Sequence, residues 1–504
     1  MATVHDTEFD LLIVGGGING AGIARDAAGR GVKTVLIDQG DFGGATSSAS
    51  TKLIHGGLRY LEYYEFRLVW ESLHEREVIL RLAPHLVAPL RFVMPHVKSL
   101  RPAWMIRVGL WLYDTMGGRR ILPASQGVRL NGKGFGAGLK PELARGFSYF
   151  DARVDDARLV IANLQSAEQH GARLLPRRRL VSARREHGHW RARLENALTG
   201  EQSEITARVL LNAAGPWVKD VIDHSETEVA ASARLVKGSH IVVPRVHQGE
   251  HAYILQNTDR RVIFIIPFQE GWSLIGTTDT IVETMAATGA ISGEETRYLL
   301  DAVNRYLVQP LAASDVIWSF SGVRALYDDG KGDPAAITRD YTLVVDDRDG
   351  AAQLALFGGK LTTYRKLAET VLDRLSPWLA YRRAPWTDGE ALPGGDFDPA
   401  RLDAEVEGLC TRYPQLPREL LKHMFHRHGL AVAAVLGAAR SLDDLGRDFG
   451  GGLYQREAEY FIRHEWAMAA DDILWRRSKT GLRMSAAQRE GFAIWFADSR
   501  ARQP

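Results

Sequence analysis

An apolar run, a glycine-rich turn and a second apolar run near the start of the chain predict a βαβ unit. Residues 11–14 (LLIV) are of the kind that forms a buried parallel strand. Residues 15–20 (GGGING) fit G-x-G-x-x-G and lead into a helix-like segment, and residues 32–37 form the second apolar run, which ends at Asp38. An acid about twenty positions past the glycines is typical of a dinucleotide-binding unit. A purely structural glycine turn is the alternative.

The glycines of the G-x-G-x-x-G pattern each have a predicted physical role. Gly15 permits the tight turn, Gly17 lets the backbone approach a pyrophosphate, and Gly20 lets the helix pack closely on the strand. The helix N-terminus offers free N–H groups and the positive end of its dipole to phosphates. Asp38 can accept hydrogen bonds from ribose hydroxyls. The unit is therefore predicted to bind a dinucleotide.

The middle of the chain predicts two further helices and a series of strands. Residues 62–82 and 155–170 have helical spacing, and residues 172–211 alternate like strands, with turns at Gly188 and Gly200. Further apolar strands are predicted at 209–213, 237–243, 262–267, 273–278, 317–322 and 354–357. The arginine clusters at 177–179 and 184–185 are interpreted as solvated strand faces.

A second strand–glycine–helix junction follows the last predicted strand. It spans residues 358–365 (GGKLTTYR), opens a helix predicted to reach about Leu375, and is a second candidate site for an anion. Residues 376–396 have the proline, glycine and charge content of a linker. The pattern after residue 397 is helical, with breaks at Pro414, Pro417 and 450–452, and so predicts a separate helical domain.

Residues 101–116 (RPAWMIRVGLWLYDTM) form an unusually broad apolar helix. Pro102 fits a first turn, and one face carries Trp104, Val108, Trp111 and Leu112, widened by Met105, Ile106, Leu110 and Tyr113. Nearby basic residues are His96, Lys98, Arg101, Arg107, Arg119 and Arg120. The segment is too short to span a bilayer, so it is predicted to lie in an anionic membrane interface. A helix buried against a neighbouring domain is the alternative.

Composition excludes several classes of protein. The chain has 504 residues, 45% of them hydrophobic and 25% charged, as in a folded globular protein of two or three domains. The net charge of +2 gives no field that favours nucleic acid. One cysteine, Cys410, excludes an internal disulfide framework and a cysteine-cluster metal site, and no metal is predicted. A reducing, cytosol-facing location without a signal peptide or transmembrane helix is expected.

Motifs along nearly the whole chain resemble the FAD-dependent sn-glycerol-3-phosphate dehydrogenases, closely those of the bacterial respiratory type. They read LLIVGGGINGAGIARDAAGRG, ATSSASTKLIHGGLRYLEYYEFRLV, LNAAGPWVKD, KGSHIVVPR, IGTTD, SGVRAL, AITRDYTL, FGGKLTTYRKLAE, DLGRDFG and HEWAMAADDILWRR. Asp38 stands where the family usually has Glu, which shortens the predicted ribose contact by one methylene.

The resemblance implies an α/β fold of the D-amino-acid oxidase/glutathione-reductase type. A Rossmann-like FAD-binding domain (about 1–80, 150–225 and 340–385) would interleave with a mixed β-sheet substrate domain (about 81–149 and 226–339). A linker at 386–396 would lead to an all-helical C-terminal cap domain at 397–504. The family oxidises C2 of glycerol 3-phosphate to dihydroxyacetone phosphate by hydride transfer to N5 of noncovalent FAD, and passes the electrons to ubiquinone or menaquinone. The resemblance also implies a homodimer, peripheral on the cytoplasmic face of the inner membrane.

By the same resemblance, four parts of the chain would hold FAD. The glycine turn would cradle the pyrophosphate, residues 46–53 the phosphate and ring side, residues 214–217 the adenosine half, and residues 358–362 the flavin N1–C2=O, where negative charge develops on reduction. The predicted cofactor residues are Gly15, Gly16, Gly17, Asn19, Gly20, Asp38, Thr46, Ser47, Ser48, Thr51, Lys52, Leu53, His55, Gly56, Ala214, Gly215, Trp217, Gly358, Gly359, Lys360, Leu361 and Thr362.

A phosphate substrate and a departing hydroxyl proton require cations and a base. Arg324 and Arg339 are predicted to clamp the phosphate, and the residues expected around the substrate are Arg59, Tyr60, His240 and Lys360. His240 near substrate, or His55 near flavin, is the candidate base. The predicted catalytic residues are His240, His55, Arg324 and Lys360. The alternatives are surface salt bridges for the arginines and core packing for the histidines.

Other activities on the same scaffold stay open at this point. An oxidase would use O2 and release H2O2 with the same motifs, although the basic, tryptophan-rich segment favours a membrane-linked dehydrogenase. An amine or amino-acid oxidoreductase needs one arginine for its carboxylate, so a pair with Lys360 would be in excess. A flavin-containing tRNA-modifying protein needs a strongly basic surface, and a nicotinamide-dependent dehydrogenase needs a second half-fold after the first βαβ unit.

Overall fold

Strand β1 (Glu8–Val14) lies inside the first sheet of the molecule, with helix α1 (Ile18–Gly29) and strand β2 (Thr34–Ile37) completing the predicted βαβ unit. β1 pairs in parallel with β2. The computed structural model describes residues 7–97, 102–117, 121–131, 133–227, 232–259, 261–285, 290–328 and 341–501. The βαβ prediction is confirmed.

The first sheet has eight strands, and its parallel part carries the βαβ unit. Its other strands are β7 (Arg173–Leu175), β8 (Arg178–Glu186), β9 (His189–Asn196), β10 (Gln202–Asn212), β17 (Thr342–Asp346) and β18 (Ala352–Phe357). The order is β17-β18-β10-β1-β2-β7, with β8 and β9 added antiparallel beside β10. Gly188 and Gly200, at φ 78° and 74°, make the two predicted turns of this region.

Helices α4 (Asp156–Gln169) and α7 (Tyr364–Leu375) flank α1 over the first sheet and share its main apolar core. Asp155 caps α4 by accepting the Arg158 N–H. The predicted strand–glycine–helix junction at 358–365 is confirmed, since β18 ends at Phe357 and α7 begins at Tyr364 and ends at Leu375. Gly358 and Gly359 have φ values of 76° and 92°, which place them in a loop and not in a right-handed helix.

The second sheet has ten strands and carries helices on both faces. Its strands are β3 (Leu53–Ile54), β4 (Val87–Pro95), β5 (Gln126–Arg129), β6 (Arg145–Val154), β11 (Ser232–Pro244), β12 (Ala252–Gln256), β13 (Val262–Phe268), β14 (Trp272–Gly276), β15 (Thr280–Val282) and β16 (Trp318–Asp328). The path is β15-β11-β14-β13-β12-β4-β6-β3, with β16 on β11 and β5 on β6. Among the described strands of this second sheet, only β12 and β4 pair in parallel, so the sheet is mixed.

Helices α2 (Phe66–Leu82) and α3 (Ala103–Met116) pack on one face of the second sheet. Helix α6 (Gly293–Asn304) packs on the other face. The short helix α5 (Val218–Asp223) follows the end of β10. Residues 53–54, predicted within the cofactor domain, pair with β6 in the second sheet, so the two sheets are joined by the loop that precedes β3.

The C-terminal part of the described chain is helical, as predicted. Its elements are α8 (Leu402–Arg412), α9 (Arg418–His428), α10 (Val432–Leu436), α11 (Gln455–His464), a π-helical turn (Asp472–Arg477) and α12 (Ala486–Ala501). They enclose two apolar clusters of their own. Pro414 and Pro417 separate α8 from α9, and residues 450–452, all with positive φ, precede α11. Of the helices described, none has the length and apolarity needed to cross a bilayer.

Candidate active site

A cavity of about 850 Å³ lies where the ends of the first-sheet strands face β11 and β16 of the second sheet. Most of the predicted cofactor and substrate residues line it. They are Gly15, Gly17, Asn19, Asp38, Thr46, Ser47, Thr51, Leu53, His55, Tyr60, Ala214, Gly215, Trp217, His240, Arg324, Gly358, Gly359, Lys360, Leu361 and Thr362. The fold therefore brings together side chains that are more than 300 positions apart in the sequence.

The glycine turn has the geometry that close backbone approach requires. Gly15 has a φ of +112°, and a Cβ there would lie 2.5 Å from the Ala213 carbonyl oxygen. A Cβ on Gly20 would lie 1.9 Å from the Gly15 carbonyl oxygen. At Gly17, which precedes α1, a Cβ would come within 3.0 Å of Ser47 Oγ, and that hydroxyl accepts the Ile18 N–H of the first helical turn at 2.9 Å. The turn is thus a cradle that side chains would fill.

Asp38 lies on the cavity wall with its carboxylate held by two backbone groups. The Gly16 N–H donates to Oδ2 and the Gly40 N–H donates to Oδ1, each at 2.7 Å. Burial raises the pKa of Asp38, and the same two N–H groups act in the opposite direction. Each oxygen keeps a lone pair for a ribose hydroxyl.

Of the predicted site residues that the structure describes, six are absent from the lining of the cavity: Gly16, Gly20, Ser48, Lys52, Gly56 and Arg59. The expectation that Lys52 faces the cofactor is corrected, because its ammonium is buried against Asp156 at 2.8 Å and donates to the Ser48 carbonyl at 2.8 Å. The Gly56 N–H donates to the Tyr113 hydroxyl at 2.8 Å. These residues shape the wall from behind it.

Arg59 and Arg339 were both predicted to bind the substrate. Arg59 donates from Nη2 to the Tyr63 hydroxyl at 3.4 Å, outside the cavity lining. Arg339 lies outside the residues that the structure describes.

His240 lies in the middle of β11, buried at 2% exposure and still on the cavity wall. Its Nε2 is 3.0 Å from Thr51 Oγ1, and its Nδ1 has no hydrogen-bond partner among the described residues. Burial lowers the pKa of His240 to about 3, and the charges of Lys52 and Arg324 add to this effect. The imidazole is therefore neutral at neutral pH, with one nitrogen unpaired.

Two of the predicted substrate cations, Arg324 and Lys360, line the cavity. Arg324 Nη2 contacts Asp279 Oδ1 at 2.6 Å, and its side chain is about half exposed. Lys360 Nζ lies 3.9 Å from the centre of the Tyr60 ring. Positive charges on the cavity wall would suit a small anion.

His55 joins the loop before α2 to the glycine loop before α7. Its N–H donates to Thr362 Oγ1 at 3.2 Å, and that hydroxyl lies 3.3 Å from the His55 carbonyl oxygen. Burial lowers the pKa of His55, which keeps the ring neutral. Asn19 links the same loop to the start of α1, since its Nδ2 donates to the Gly358 carbonyl at 3.2 Å.

Several lining residues were missed by sequence reasoning. Asp279 ends the IGTTD motif, which was a usable signal for it. Arg177, Arg178 and Arg179 were interpreted as solvated, whereas they line the cavity, and Arg177 pairs with Asp472 at 2.9 Å. The positive φ of Arg177, 55°, turns this residue out of the strand pattern. Arg476 also lines the cavity, and it belongs to the motif HEWAMAADDILWRR, which was a usable signal for it.

Comparison with known proteins agrees with this geometry. The model of the "FAD dependent oxidoreductase" family matches residues 10–365, and that of the "C-terminal domain of alpha-glycerophosphate oxidase" matches residues 385–491. A glycerol-3-phosphate dehydrogenase of Pseudomonas aeruginosa is 51% identical over 98% of this chain and 96% of its own length. A D-erythritol 1-phosphate dehydrogenase of Brucella abortus is 48% identical over 97% of each chain.

Among solved structures, the chain is similar to the glycerol-3-phosphate dehydrogenase of Bacillus halodurans complexed with FAD. The TM-score is 0.77 at 26% identity, with 98% of this chain and 91% of that chain covered. FAD fits the site described above, because the glycine cradle has no room for side chains and Asp38 can receive a ribose. The cofactor is FAD, and the α/β fold with a helical C-terminal domain is confirmed.

Proposed function

The chain belongs to the FAD-dependent glycerol-3-phosphate dehydrogenases, and we propose that it oxidises C2 of sn-glycerol 3-phosphate and delivers the electrons to a membrane quinone. The product is dihydroxyacetone phosphate. The observation that carries the proposal is one cavity lined both by the dinucleotide cradle and by Arg324, Lys360 and neutral His240. When bound, FAD supplies at N5 the acceptor for the hydride that leaves C2.

Arg324 and Lys360 bind the substrate phosphate in this proposal. The Arg324 guanidinium offers a planar fork of donors, half exposed in the cavity and held at one end by Asp279. Lys360 adds a second positive charge from the facing loop, beside Tyr60. Arg339 is proposed as a third cation from its motif alone, since it lies outside the described residues.

His240 takes the proton of the C2 hydroxyl. We assign the tautomer in which Nε2–H donates to Thr51 Oγ1, 3.0 Å away, so that Nδ1, which has no partner among the described residues, accepts the proton. The low pKa keeps the ring neutral before substrate arrives, and a bound phosphate adds nearby negative charge that raises it toward working pH. His55 is the second candidate base, although its backbone ties to Thr362 support a role in shaping the flavin pocket.

The loop at residues 358–362 is proposed to face the flavin N1–C2=O. All five of its residues line the cavity, and Gly358 and Gly359 are in left-handed conformations. Because α7 begins only at Tyr364, the backbone N–H groups of the loop would contribute more to stabilising the negative charge than the helix dipole would.

An exposed aromatic surface supports a membrane acceptor. Helix α3 buries Ile106, Leu110 and Tyr113 in the core, while Trp104 is 67% exposed and Trp111 is 58% exposed. The other large apolar side chains exposed on α3 and on the adjoining residues 63–70 are Met105, Val108, Tyr63, Tyr64, Phe66 and Trp70. Contiguous exposed aromatic residues of this kind favour a lipid interface.

Helix α3 was predicted either to lie in a membrane interface or to be buried against a neighbouring domain. One face of the helix is buried in the core, and we propose that the exposed opposite face lies in the interface. Arg107, which is described, donates to the Ser125 carbonyl at 3.1 Å, whereas Lys98, Arg101, Arg119 and Arg120 lie outside the described residues. We place the protein peripherally on the cytoplasmic face of the inner membrane. A homodimer is proposed from the family resemblance alone.

D-erythritol 1-phosphate is the second candidate substrate. The Brucella abortus relative that bears this name is 48% identical, nearly as close as the glycerol-3-phosphate dehydrogenase at 51%. Both molecules pair a phosphate with a secondary alcohol, so the same cations and base would serve either. A glycerol-3-phosphate oxidase that releases H2O2 is a third candidate on the same scaffold.

Anaerobic mixing of the purified holoenzyme with each phosphate separates these candidates. Bleaching at about 450 nm, where oxidised flavin absorbs, reports hydride transfer. We expect bleaching by sn-glycerol 3-phosphate at least tenfold faster per unit concentration than by D-erythritol 1-phosphate, which corresponds to about 1.4 kcal/mol of discrimination. Fast reoxidation by a quinone analogue with little peroxide supports the dehydrogenase. Fast peroxide release, or no bleaching by glycerol 3-phosphate, contradicts the proposal.

A further inference from the structure

Asp41, in the loop of residues 38–44 that we name the cofactor loop, is ion-paired to the C-terminal helical part of the chain. Arg477 contacts both of its oxygens, Nη1 to Oδ2 at 2.7 Å and Nη2 to Oδ1 at 2.8 Å. Arg476 Nε adds a contact to Oδ2 at 2.5 Å. Burial would raise the pKa of Asp41, but the two guanidinium groups outweigh it and lower the pKa. The carboxylate is therefore charged and fixed from two sides at neutral pH.

A second tie runs through Asp472, which begins the π-helical turn Asp472–Arg477. Asp472 Oδ1 accepts from Arg177 Nη2 at 2.9 Å and also pairs with Arg476. The backbone N–H of Arg177 donates in turn to the Gly40 carbonyl at 3.1 Å. The same turn thus holds the cofactor loop both at a side chain and, through Arg177, at the backbone.

A third contact is apolar and reaches the glycine turn. The ring of Trp466 lies edge-on to Phe42, with the centroids 5.5 Å apart. Phe42 is fully buried, and a Cβ on Gly16 would lie 2.5 Å from its ring. The Gly43 N–H donates to the Gly16 carbonyl at 2.9 Å. The cofactor loop is therefore packed between Gly16 on one side and Trp466 on the other.

These contacts bear on Asp38 because the cofactor loop carries it. Gly40 and Gly16 hold the two oxygens of the Asp38 carboxylate, so the positions of both glycines set where that carboxylate faces the cavity. Gly16 belongs to the cradle, and Gly40 is adjacent to Asp41. Movement at Asp41 would therefore move the predicted ribose partner.

We propose that the C-terminal helical part holds the cofactor loop in its FAD-binding conformation, with Arg476 and Arg477 as positioning residues that act through Asp41. FAD retention then depends on two arginines that lie 435 and 436 positions from Asp41 in the sequence. The proposal rests on FAD binding, which the family gives, and not on the choice of substrate. Its failure would leave the proposed reaction untouched.

Arg476→Ala is the informative variant, because its side chain is partly exposed whereas that of Arg477 is fully buried. FAD dissociation is followed by the recovery of free-flavin fluorescence, and FAD binding to the apoprotein by titration. We expect Arg476→Ala to raise the dissociation constant of FAD about tenfold, the effect typical of losing a charged hydrogen bond, and Arg476→Lys to restore part of it. Arg463→Ala, which breaks an exposed pair with Glu459 on α11, is the matched control without effect.

Arg476 also lines the cavity, so a double-mutant cycle with Asp41→Asn distinguishes the two ways it can act. If Arg476 acts through Asp41, the Arg476→Ala effect on FAD disappears in the Asp41→Asn background. An undiminished effect there would mean direct contact with FAD and would overturn the proposal. An unchanged FAD dissociation constant in Arg476→Ala would also overturn it. If Arg476→Ala lowers the melting temperature of the apoprotein but leaves the rise in melting temperature on adding FAD unchanged, Arg476 has only a structural role. That result would count against the proposal.

Discussion

The ring of Phe320 lies stacked on the imidazole of His240, with the centroids 5.0 Å apart and the planes at 17°. Phe320 in turn contacts Trp318, which stacks on Trp475 of the C-terminal helical part at 5.2 Å. The candidate base is therefore fixed on one side by an aromatic column and at Nε2 by Thr51. A neutral imidazole held in one orientation, with Nδ1 unpaired, is suited to accept a proton from a bound alcohol.

Replacing His240 should lower turnover without removing FAD. We expect His240→Asn to reduce kcat for glycerol 3-phosphate by about 10²- to 10⁴-fold, the usual contribution of a general base. The FAD content and the KM should change little. His247→Asn is the control. The pKa of His247 is also lowered to about 3, as that of His240 is, but His247 lies outside the cavity lining. Full activity of His240→Asn would move the base assignment to His55 or to solvent.

Removing the Arg324 guanidinium should weaken phosphate binding. We expect Arg324→Ala to lower kcat/KM by about 10²- to 10³-fold, because a charged hydrogen-bonded partner of the substrate is lost, and Arg324→Lys to recover part of the loss. Arg234→Ala is a matched control on the neighbouring strand β11: it breaks a pair with Asp328 at 3.3 Å away from the cavity lining. If both variants lost the same amount, the effect would be structural and Arg324 would not be a phosphate ligand.

Filling the glycine cradle should weaken FAD binding without preventing folding. At Gly17 the backbone is ordinary and a Cβ would lie 3.0 Å from Ser47 Oγ, so Gly17→Ala should fold but hold FAD at least tenfold more weakly. Gly491→Ala on α12 is the control, because no described atom lies within 4 Å of its Cβ, and it should gain about 0.5–1 kcal/mol. Flavin absorbance per protein and thermal melting are the measurements. Normal flavin content in Gly17→Ala would contradict the cradle assignment.

Sequence reasoning predicted the parts of the site whose signals are local. The glycine turn and Asp38 lie within one βαβ unit, where spacing alone fixes their proximity. The partners of Lys52 and Arg177 lie at Asp156 and Asp472, at separations of 104 and 295 positions. Such ion pairs depend on how the sheets and the C-terminal helices pack, which residue spacing does not encode.

The junction at 358–365 was predicted from the sequence, but the exact residue within it at which α7 begins, Tyr364, was not. The run after β18 contains good helix formers, but Gly358 and Gly359 adopt left-handed φ values that a helix excludes. Composition cannot separate two glycines inside a helix start from two glycines that form a loop. The interaction with Asn19 and the packing of the cavity wall select the loop.

Acid should destabilise the protein between about pH 6.5 and 4. Burial lowers the pKa values of His247 to about 3 and of His426 to about 4, whereas the unfolded chain binds these protons near pH 6.5. The unfolded state therefore holds more protons in this window, so the stability present above pH 6.5 is lost as the pH falls. Each such histidine changes the free energy of unfolding by at most about 1.4 kcal/mol per pH unit.

Urea unfolding of the holoenzyme and of His247→Asn at pH 7 and pH 5 measures the loss of stability between the two pH values. We expect the variant to lose less stability, and an equal loss in both proteins would contradict the assignment.

Charges on the aromatic surface of α3 should release the protein from membranes without harming the chemistry. Trp104 and Trp111 are the most exposed tryptophans of that helix, while Ile106 and Leu110 hold it to the core. The double variant Trp104→Glu/Trp111→Glu should therefore fold normally. Its partitioning onto phosphatidylcholine–phosphatidylglycerol vesicles should fall at least tenfold, because two indoles that would be buried in lipid are lost and two carboxylates are repelled by the anionic headgroups. Ile494→Glu, which changes an exposed apolar side chain on α12, is the control that should keep full partitioning.

Reduction of a water-soluble dye should persist in the double variant, whereas reduction of a vesicle-borne quinone should fall with the bound fraction. If the double variant no longer sediments with vesicles but still reduces the quinone at the same rate, this surface is not needed for electron delivery and the prediction is contradicted. The acceptor would then have to reach the flavin from solution.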